Sequence, residues 1–247
     1  MARILCVANQ KGGVGKTTTA INLATALAKA GSRTLLVDLD PQCNATSGLG
    51  QPPAARHPLV SREPLREALK PTITPGLEVL PGCRRFQDIE TLATSAEPEA
   101  TLRQHMESGL ADYDFVLIDC PPSLGQLTRT ALASSTEVLM PIQCEYFAME
   151  GLAQMIEVIR QVMSAPPSRL KFGGIVLTMY DDSLELTHEV DREVRDFFGD
   201  VVFVTAIPRD VAVAEAPSHG MSVLDFSPRA RGSRAYAELC MEVLERD

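Results

Sequence analysis

The chain has no C-x-x-C pair. Its six cysteines stand apart, at Cys6, Cys43, Cys83, Cys120, Cys144 and Cys240, which argues against a disulfide framework and for a reduced, cytosolic protein. No apolar run approaches the ~20 residues that a membrane span needs. The opening Met-Ala-Arg-Ile-Leu passes straight into a short strand, too short for a signal h-region, so a soluble chain without a leader is expected. Positive charge is also scarce: 23 Lys and Arg against 32 Asp and Glu give a formal net charge of −9. Any contact with nucleic acid is thereby confined to a local patch. His57 and His105 are far apart and lack ligand spacing, and both read as solvated surface residues. No composition break divides the 247 residues, and 45% hydrophobic content suffices for the core of one α/β domain spanning 1–247.

What the chain does have is concentrated near its start. The apolar strand Ile4-Leu5-Cys6-Val7-Ala8 runs into Asn9-Gln10-Lys11-Gly12-Gly13-Val14-Gly15-Lys16-Thr17-Thr18, a glycine-rich turn opening a helix. Gly12, Gly13 and Gly15 carry no Cβ and accept positive φ, so successive backbone N–H groups, that of Val14 included, converge on one anion. The helix that follows adds its own unpaired N–H groups and the positive end of its dipole. Lys16 is then placed for the β- and γ-phosphates, the Thr17 hydroxyl for Mg²⁺ and Thr18 for the α-phosphate. The pattern departs from G-x-x-x-x-G-K-[ST], because Lys11 stands where the first glycine belongs. With Lys16 already serving the phosphates, Lys11 has no obvious target within its own subunit; solvation is the ordinary fate of such a lysine.

Two further carboxylate motifs follow apolar strands. The strand 33–38 delivers Asp38-Leu39-Asp40-Pro41 to the carboxyl edge of a parallel sheet, where ligands of open α/β folds bind. These aspartates are either turn formers or, beside a triphosphate, groups able to orient an attacking water. The strand 114–119 ends in Asp119-Cys120-Pro121-Pro122, and a carboxylate there either caps a helix or holds Mg²⁺ through water.

Between and beyond them the pattern alternates. Helices are expected at 17–30, 64–69, 143–163, 187–198 and 233–244, and strands at 77–81, 136–141, 172–178 and 201–206. The Pro- and Arg-rich stretch 51–63 reads as an exposed loop, and 86–111 as helix broken near Pro98. The whole describes a three-layer P-loop fold with a mostly parallel twisted sheet flanked by helices.

Three segments, KGGVGKTT, DLDPQCNATSGLG and VLIDCPPSLG, resemble in this order the phosphate loop (9–18), first switch (38–47) and second switch (119–125) of the ParA/Soj and MinD group of ATPases. PIQCEYFAMEGL and the segment 215–220 resemble it too, and the likeness weakens only between 51 and 111. The resemblance implies ATP and Mg²⁺ as cofactors and slow ATP hydrolysis stimulated by a ParB-like or other adaptor protein. It implies a sandwich homodimer in which Lys11 reaches the partner's phosphates in the manner of an arginine finger. In this reading Lys11, Lys16 and Asp40 are catalytic, Asp40 positioning the hydrolytic water, and Thr17, Asp40 and Asp119 surround the metal. Asp38 either helps the magnesium shell or orders the loop. Adenine recognition falls to Met179, Pro208 and Arg209, a thioether and a proline ring flanking a purine with an arginine able to stack. Cys120 and Cys144 also invite comparison with the iron–sulfur ligands of nitrogenase iron protein, but their context reads as core cysteine.

The resemblance further implies nonspecific double-stranded DNA binding in the ATP state, and a cytoplasmic, nucleoid-associated partition role. Arg195 matches one such DNA position, and Arg229, Arg231 and Arg234 are either further contacts or solvated arginines. Ala212, Ser183 and Glu185 depart from basic or polar residues of relatives, which lowers the expected number of phosphate neutralisations. The alternative is a protein-positioning scaffold built on the same engine with little DNA role. A metabolic ligase reading lacks any visible acceptor motif, and the final helix lacks the basic, apolar-faced tail of a membrane-binding MinD, so no membrane partner is expected.

Overall fold

The computed structural model describes residues 2–61, 65–85, 88, 110, 112–146, 148–166 and 168–246. Its strands are β1 (Arg3–Val7), β2 (Thr34–Asp38), β3 (Lys70–Pro71), β4 (Leu77–Leu80), β5 (Phe115–Asp119), β6 (Glu137–Gln143), β7 (Lys171–Tyr180) and β8 (Val202–Pro208). They form one sheet in the order β3-β4-β2-β5-β1-β6-β7-β8, parallel throughout except for the short antiparallel edge strand β3. β2 and β5 are buried at every position, the continuous apolar run expected of parallel strands covered on both faces.

The covering helices are α1 (Lys16–Lys29), α2 (Gln126–Ala133), α3 (Ala148–Ser164), α4 (Glu185–Phe198) and α5 (Arg231–Glu245). Helical spacing in α1 turns Leu23 and Leu27 inward, where they join Tyr236 and Leu239 of α5 on one face of the sheet. Leu127 and Leu132 of α2, Met155 and Ile159 of α3 and Val190 and Val194 of α4 fill the other. The sheet thus forms the middle of three layers.

Register positions the chemistry. Asp119 of β5 lies level with Val7 of β1 on one side and with Asp38 of β2 on the other. All three strands therefore release their chains at the same height, on the carboxyl edge where ligand sites of such sheets form.

The element boundaries differ most from expectation in two places. The helix expected from residue 143 begins at Ala148, because β6 stays paired with β7 as far as Gln143 and Thr178. The stretch 51–63 is not wholly an exposed loop: Ala54 bridges Cys83 in parallel, and Pro58–Ser61 form one helical turn. Apart from residues 88 and 110, the helical stretch expected over 86–111, His105 included, lies outside the described residues.

Candidate nucleotide and magnesium site

The turn after β1 has the backbone that its glycines permit. Gly13 and Gly15 sit at φ 78° and 86°, and Gly15 caps α1 without any side-chain bond to the helix. A side chain at either position would be strained in this left-handed region. The first N–H groups of α1 consequently keep no side-chain partner from Gly15 and face the turn. Asn9 anchors the entry, donating through Nδ2 to the Pro141 carbonyl (2.8 Å) and accepting from the Lys11 N–H (3.0 Å). Thr178 of β7 secures the middle by donating to the Val14 carbonyl (2.9 Å). Val14 itself is buried and faces the core.

A cavity of about 470 Å³ opens over this turn. Gly12, Gly13, Gly15, Lys16, Thr17 and Thr18 line it together with Asp40, Met179, Pro208 and Arg209. One space is thus lined both by residues expected at the phosphates and by residues expected at the adenine. Met179 adopts φ 51°, a conformation that is rare for a residue with a long side chain and that clusters at ligand sites.

Lys16 is buried and donates through Nζ to the carbonyl oxygen of Lys11 (2.8 Å). Burial holds its pKa below the usual value, and the carboxylates of Asp119 and Asp40 pull it partly back. Asp119 is fully buried, and neither of its oxygens has a hydrogen-bond partner. Its pKa is pushed well above the normal carboxylate range, first by burial and then by Asp38, with the nearby Thr17 hydroxyl acting the other way. A buried carboxyl without partners is unfavourable unless something else satisfies it. Thr17 and Asp119 supply hard oxygen donors, and no group of three or more His, Cys, Asp or Glu side chains gathers for a metal among the described residues. That sparse donor set fits Mg²⁺, which keeps most of its shell for water and phosphate oxygens.

Asp38 and Asp40 separate in role. Asp38 is fully buried and accepts from the Thr46 N–H (2.8 Å), the Thr46 hydroxyl (2.6 Å) and the Asp40 N–H (3.1 Å). Burial raises its pKa to about 6 against the pull of those bonds. These bonds tie the loop to the end of β2, in keeping with the loop-ordering half of its expected role. Asp40 holds the Gln42 N–H (2.9 Å) and turns toward the cavity.

Two expectations change. Lys11 does have a target in its own subunit: its Nζ lies 2.6 Å from Glu145 Oε2, and Gln143 bonds the other oxygen of that carboxylate. His57 is not a solvated surface residue but has no exposed area. Its Nδ1 accepts from the Leu59 N–H (3.3 Å), leaving Nε2–H to face the Asp38 carbonyl oxygen (3.3 Å). Burial lowers its pKa to about 4, so the ring is neutral at ordinary pH. The cysteines keep the core role expected of them: Cys120 has its Sγ 3.3 Å from that of Cys6, and Cys144 is buried and free.

The four candidate arginines fall into two groups. Arg195 is tied down: it pairs with Asp191 (2.6 Å) and donates to the carbonyls of Phe203 (3.0 Å) and Val204 (3.3 Å) on the outer edge of β8. Arg229, Arg231 and Arg234 are exposed around the start of α5, where Arg231 reaches the Arg209 carbonyl and Arg234 that of Arg229. No helix among the described residues is long and apolar enough to cross a membrane.

Sequence reasoning missed Glu145, Thr46 and the buried role of His57. Only Thr46 carried a local signal, as a hydroxyl eight residues after Asp38 inside the switch-like segment.

Comparison with known proteins follows the same pattern. Residues 2–172 match the model of the AAA domain family. The chain is 45% identical to the chromosome partitioning protein ParA of Caulobacter vibrioides, over 99% of this chain and 95% of that protein. It is 43% identical to the sporulation initiation inhibitor protein Soj of Bacillus subtilis, over 98% of each. Among solved structures, cobyrinic acid a,c-diamide synthase from Mycobacterium smegmatis with bound ADP and magnesium superposes with a TM-score of 0.83 at 34% identity, covering 99% of this chain and 95% of that one.

Proposed function

Because the chain belongs to the ParA/Soj family of chromosome-partitioning ATPases, we propose that it is an ATP-driven switch whose triphosphate state closes a homodimer, holds double-stranded DNA and is released by adaptor-stimulated hydrolysis. The observation that carries the chemistry is Asp119, a fully buried carboxylate with two unpartnered oxygens beside Thr17 and Lys16 at the foot of the glycine turn. Such a site is incomplete without a cation and an anion together.

In this reading the backbone of 12–18 and Lys16 bind the phosphates, and Thr17, Asp119 and Asp40 would hold Mg²⁺. Magnesium, when bound, neutralises charge on the β- and γ-phosphates. Asp40 orients the attacking water, whose oxygen bonds to the γ-phosphorus as the bond to the ADP oxygen breaks. Lys11 leaves Glu145 and reaches the partner's phosphates, so hydrolysis needs two subunits. Met179, Pro208 and Arg209 receive the adenine. DNA contact falls to the arginines around the start of α5, where phosphate neutralisation is available without disturbing the sheet.

A second reading, a protein-positioning scaffold with little DNA role, is favoured by the net charge of −9 and by the engagement of Arg195 at the sheet edge. Retention of the protein on duplex DNA with ATP, with ADP and without nucleotide, across a salt series, separates the two. Binding that needs ATP and falls steeply with salt supports the partition switch. ATP-dependent dimerisation without DNA retention moves the assignment to the scaffold.

A further inference from the structure

The segment between the first switch and β4 carries a residue that the nucleotide chemistry has not absorbed. β4 stops at Leu80, the register partner of Val37 on β2. The next backbone group of β2 on that side belongs to Asp38, since Leu39 turns the other way and donates its N–H to Asp119 (3.0 Å). The chain after β4 cannot continue the ladder: Pro81 has no N–H, and the Gly82 N–H is taken by the Thr46 hydroxyl (2.8 Å). The Asp38 carbonyl would be left without its strand partner, a costly state for a buried group. The His57 ring fills the place, with Nε2–H facing that oxygen at 3.3 Å.

His57 is itself held by two further bonds. Leu59 N–H donates to its Nδ1, its own N–H donates to Asp88 Oδ2 (2.9 Å), and Arg56 pairs with the same aspartate (3.7 Å). Nearby, Ala54 donates to the Gly82 carbonyl (2.8 Å). Gly82 packs so closely on this junction that a Cβ there would stand 3.0 Å from the Asp38 carboxyl carbon and 3.1 Å from Cys43 Sγ. Gln51 N–H donates to the Thr46 carbonyl (3.1 Å), so the segment 51–60 is tied to the far end of the switch as well as to its start. Asp40 lies two residues beyond the carbonyl that His57 holds, on a chain already pinned by the Asp38 carboxylate.

We propose that His57 is a positioning residue for ATP hydrolysis: by holding the Asp38 carbonyl it sets the direction in which the backbone delivers the Asp40 carboxylate to the phosphate cavity. The inference rests on the reading of Asp40 as the group that orients the water. A misplacement of about 1 Å in such a group costs on the order of a hundredfold in rate, so a change at His57, one bond away from the switch, acts on turnover and leaves nucleotide binding alone.

The test compares His57→Ala, His57→Gln and Asp40→Ala in the full-length protein, measuring kcat and KM for ATP, affinity for a fluorescent ATP analogue and melting temperature. Glutamine keeps an N–H donor near the position of Nε2. The expected result is a kcat lowered about tenfold or more in His57→Ala with analogue affinity unchanged, a partial recovery in His57→Gln, and a His57→Ala/Asp40→Ala double variant no slower than Asp40→Ala. Normal turnover in His57→Ala alongside a crippled Asp40→Ala overturns the proposal while sparing Asp40. Normal turnover in Asp40→Ala overturns the Asp40 reading instead. Should His57→Ala lose affinity and melting temperature together with kcat, and His57→Gln recover none of it, the ring is packing material and the positioning role is refuted.

Discussion

Lys11 and Glu145 of one chain form an ion pair, Nζ to Oε2 at 2.6 Å, across 134 residues of sequence. The same lysine is proposed to serve the partner's phosphates, so closing the dimer requires this pair to open. Both side chains are part-exposed, at 35% and 46%, and a pair of that kind contributes at most about 1 kcal/mol. Glu145→Gln is therefore expected to tighten ATP-dependent dimerisation by up to about fivefold per subunit. Light scattering across a protein concentration series with ATP checks this, and the gain should shrink as salt screens the pair in the parent protein. An unchanged or weakened dimer would remove Glu145 as a restraint on Lys11.

Asp119 makes the nucleotide-free protein less stable than its fold allows. A carboxyl whose folded pKa is raised binds its proton more tightly folded than unfolded. Its stabilising protonated form is fully present below about pH 4 and is lost as pH rises through the raised value. Asp119→Asn removes the charge while keeping the shape. The variant should melt at least about 2 °C higher without nucleotide, lose the downward slope of stability with rising pH, and hydrolyse no ATP. Scanning calorimetry and phosphate release measure the two effects. A variant that melts lower and still turns over would show that Asp119 is a structural acid, not a metal ligand.

These two residues also show what was legible in the sequence. Asp119 ends an apolar run and stands level with Asp38 and Val7 because parallel strands of five residues release their chains together; local pattern is enough to foresee that. Lys11 was legible as an extra charge in the turn, but its partner was not, since nothing local links residue 11 to residue 145. His57 lies in a Pro- and Arg-rich stretch that reads as solvent-facing. Its burial follows from a gap in the β2–β4 ladder, which is a tertiary event. Arg195 could be aligned with relatives, yet its bonds to the edge of β8 depend on strand order, and no periodicity in α4 reports which strand is outermost.

The pH dependence of His57 has the opposite sign to that of Asp119. Burial lowers its folded pKa to about 4 from an ordinary 6.5, so the unfolded chain binds the proton more readily. The stability it contributes is fully present above pH 6.5 and is lost as pH falls toward 4. Between pH 7 and pH 5 the loss amounts to about 2 kcal/mol. His57→Gln should lack this component, which urea unfolding at the two pH values can resolve as a smaller stability difference than in the parent. An equal difference in both proteins would mean that the ring is already solvated or charged in the folded state.

Arg195 and the arginines of α5 should separate in a DNA-retention assay. On the outer strand β8, Arg195 covers the carbonyls of Phe203 and Val204 while Glu242 of α5 accepts from the N–H groups of Val204 and Thr205, each at 2.8 Å. Two side chains thus occupy the free edge of the sheet, whose Val204 is 81% exposed. Bare edges recruit other strands. Arg195→Ala is accordingly expected to raise concentration-dependent association, a readout available from light scattering without nucleotide or DNA. Arg229→Ala, Arg231→Ala and Arg234→Ala combined should leave the edge alone and lower retention on duplex DNA in ATP. The slope of log affinity against log salt should fall by about 0.9 for each phosphate contact removed. If the triple variant keeps the full slope while a folded, monodisperse Arg195→Lys variant loses it, DNA lies along α4 and β8 after all, and the arginines of α5 are only solvated charge.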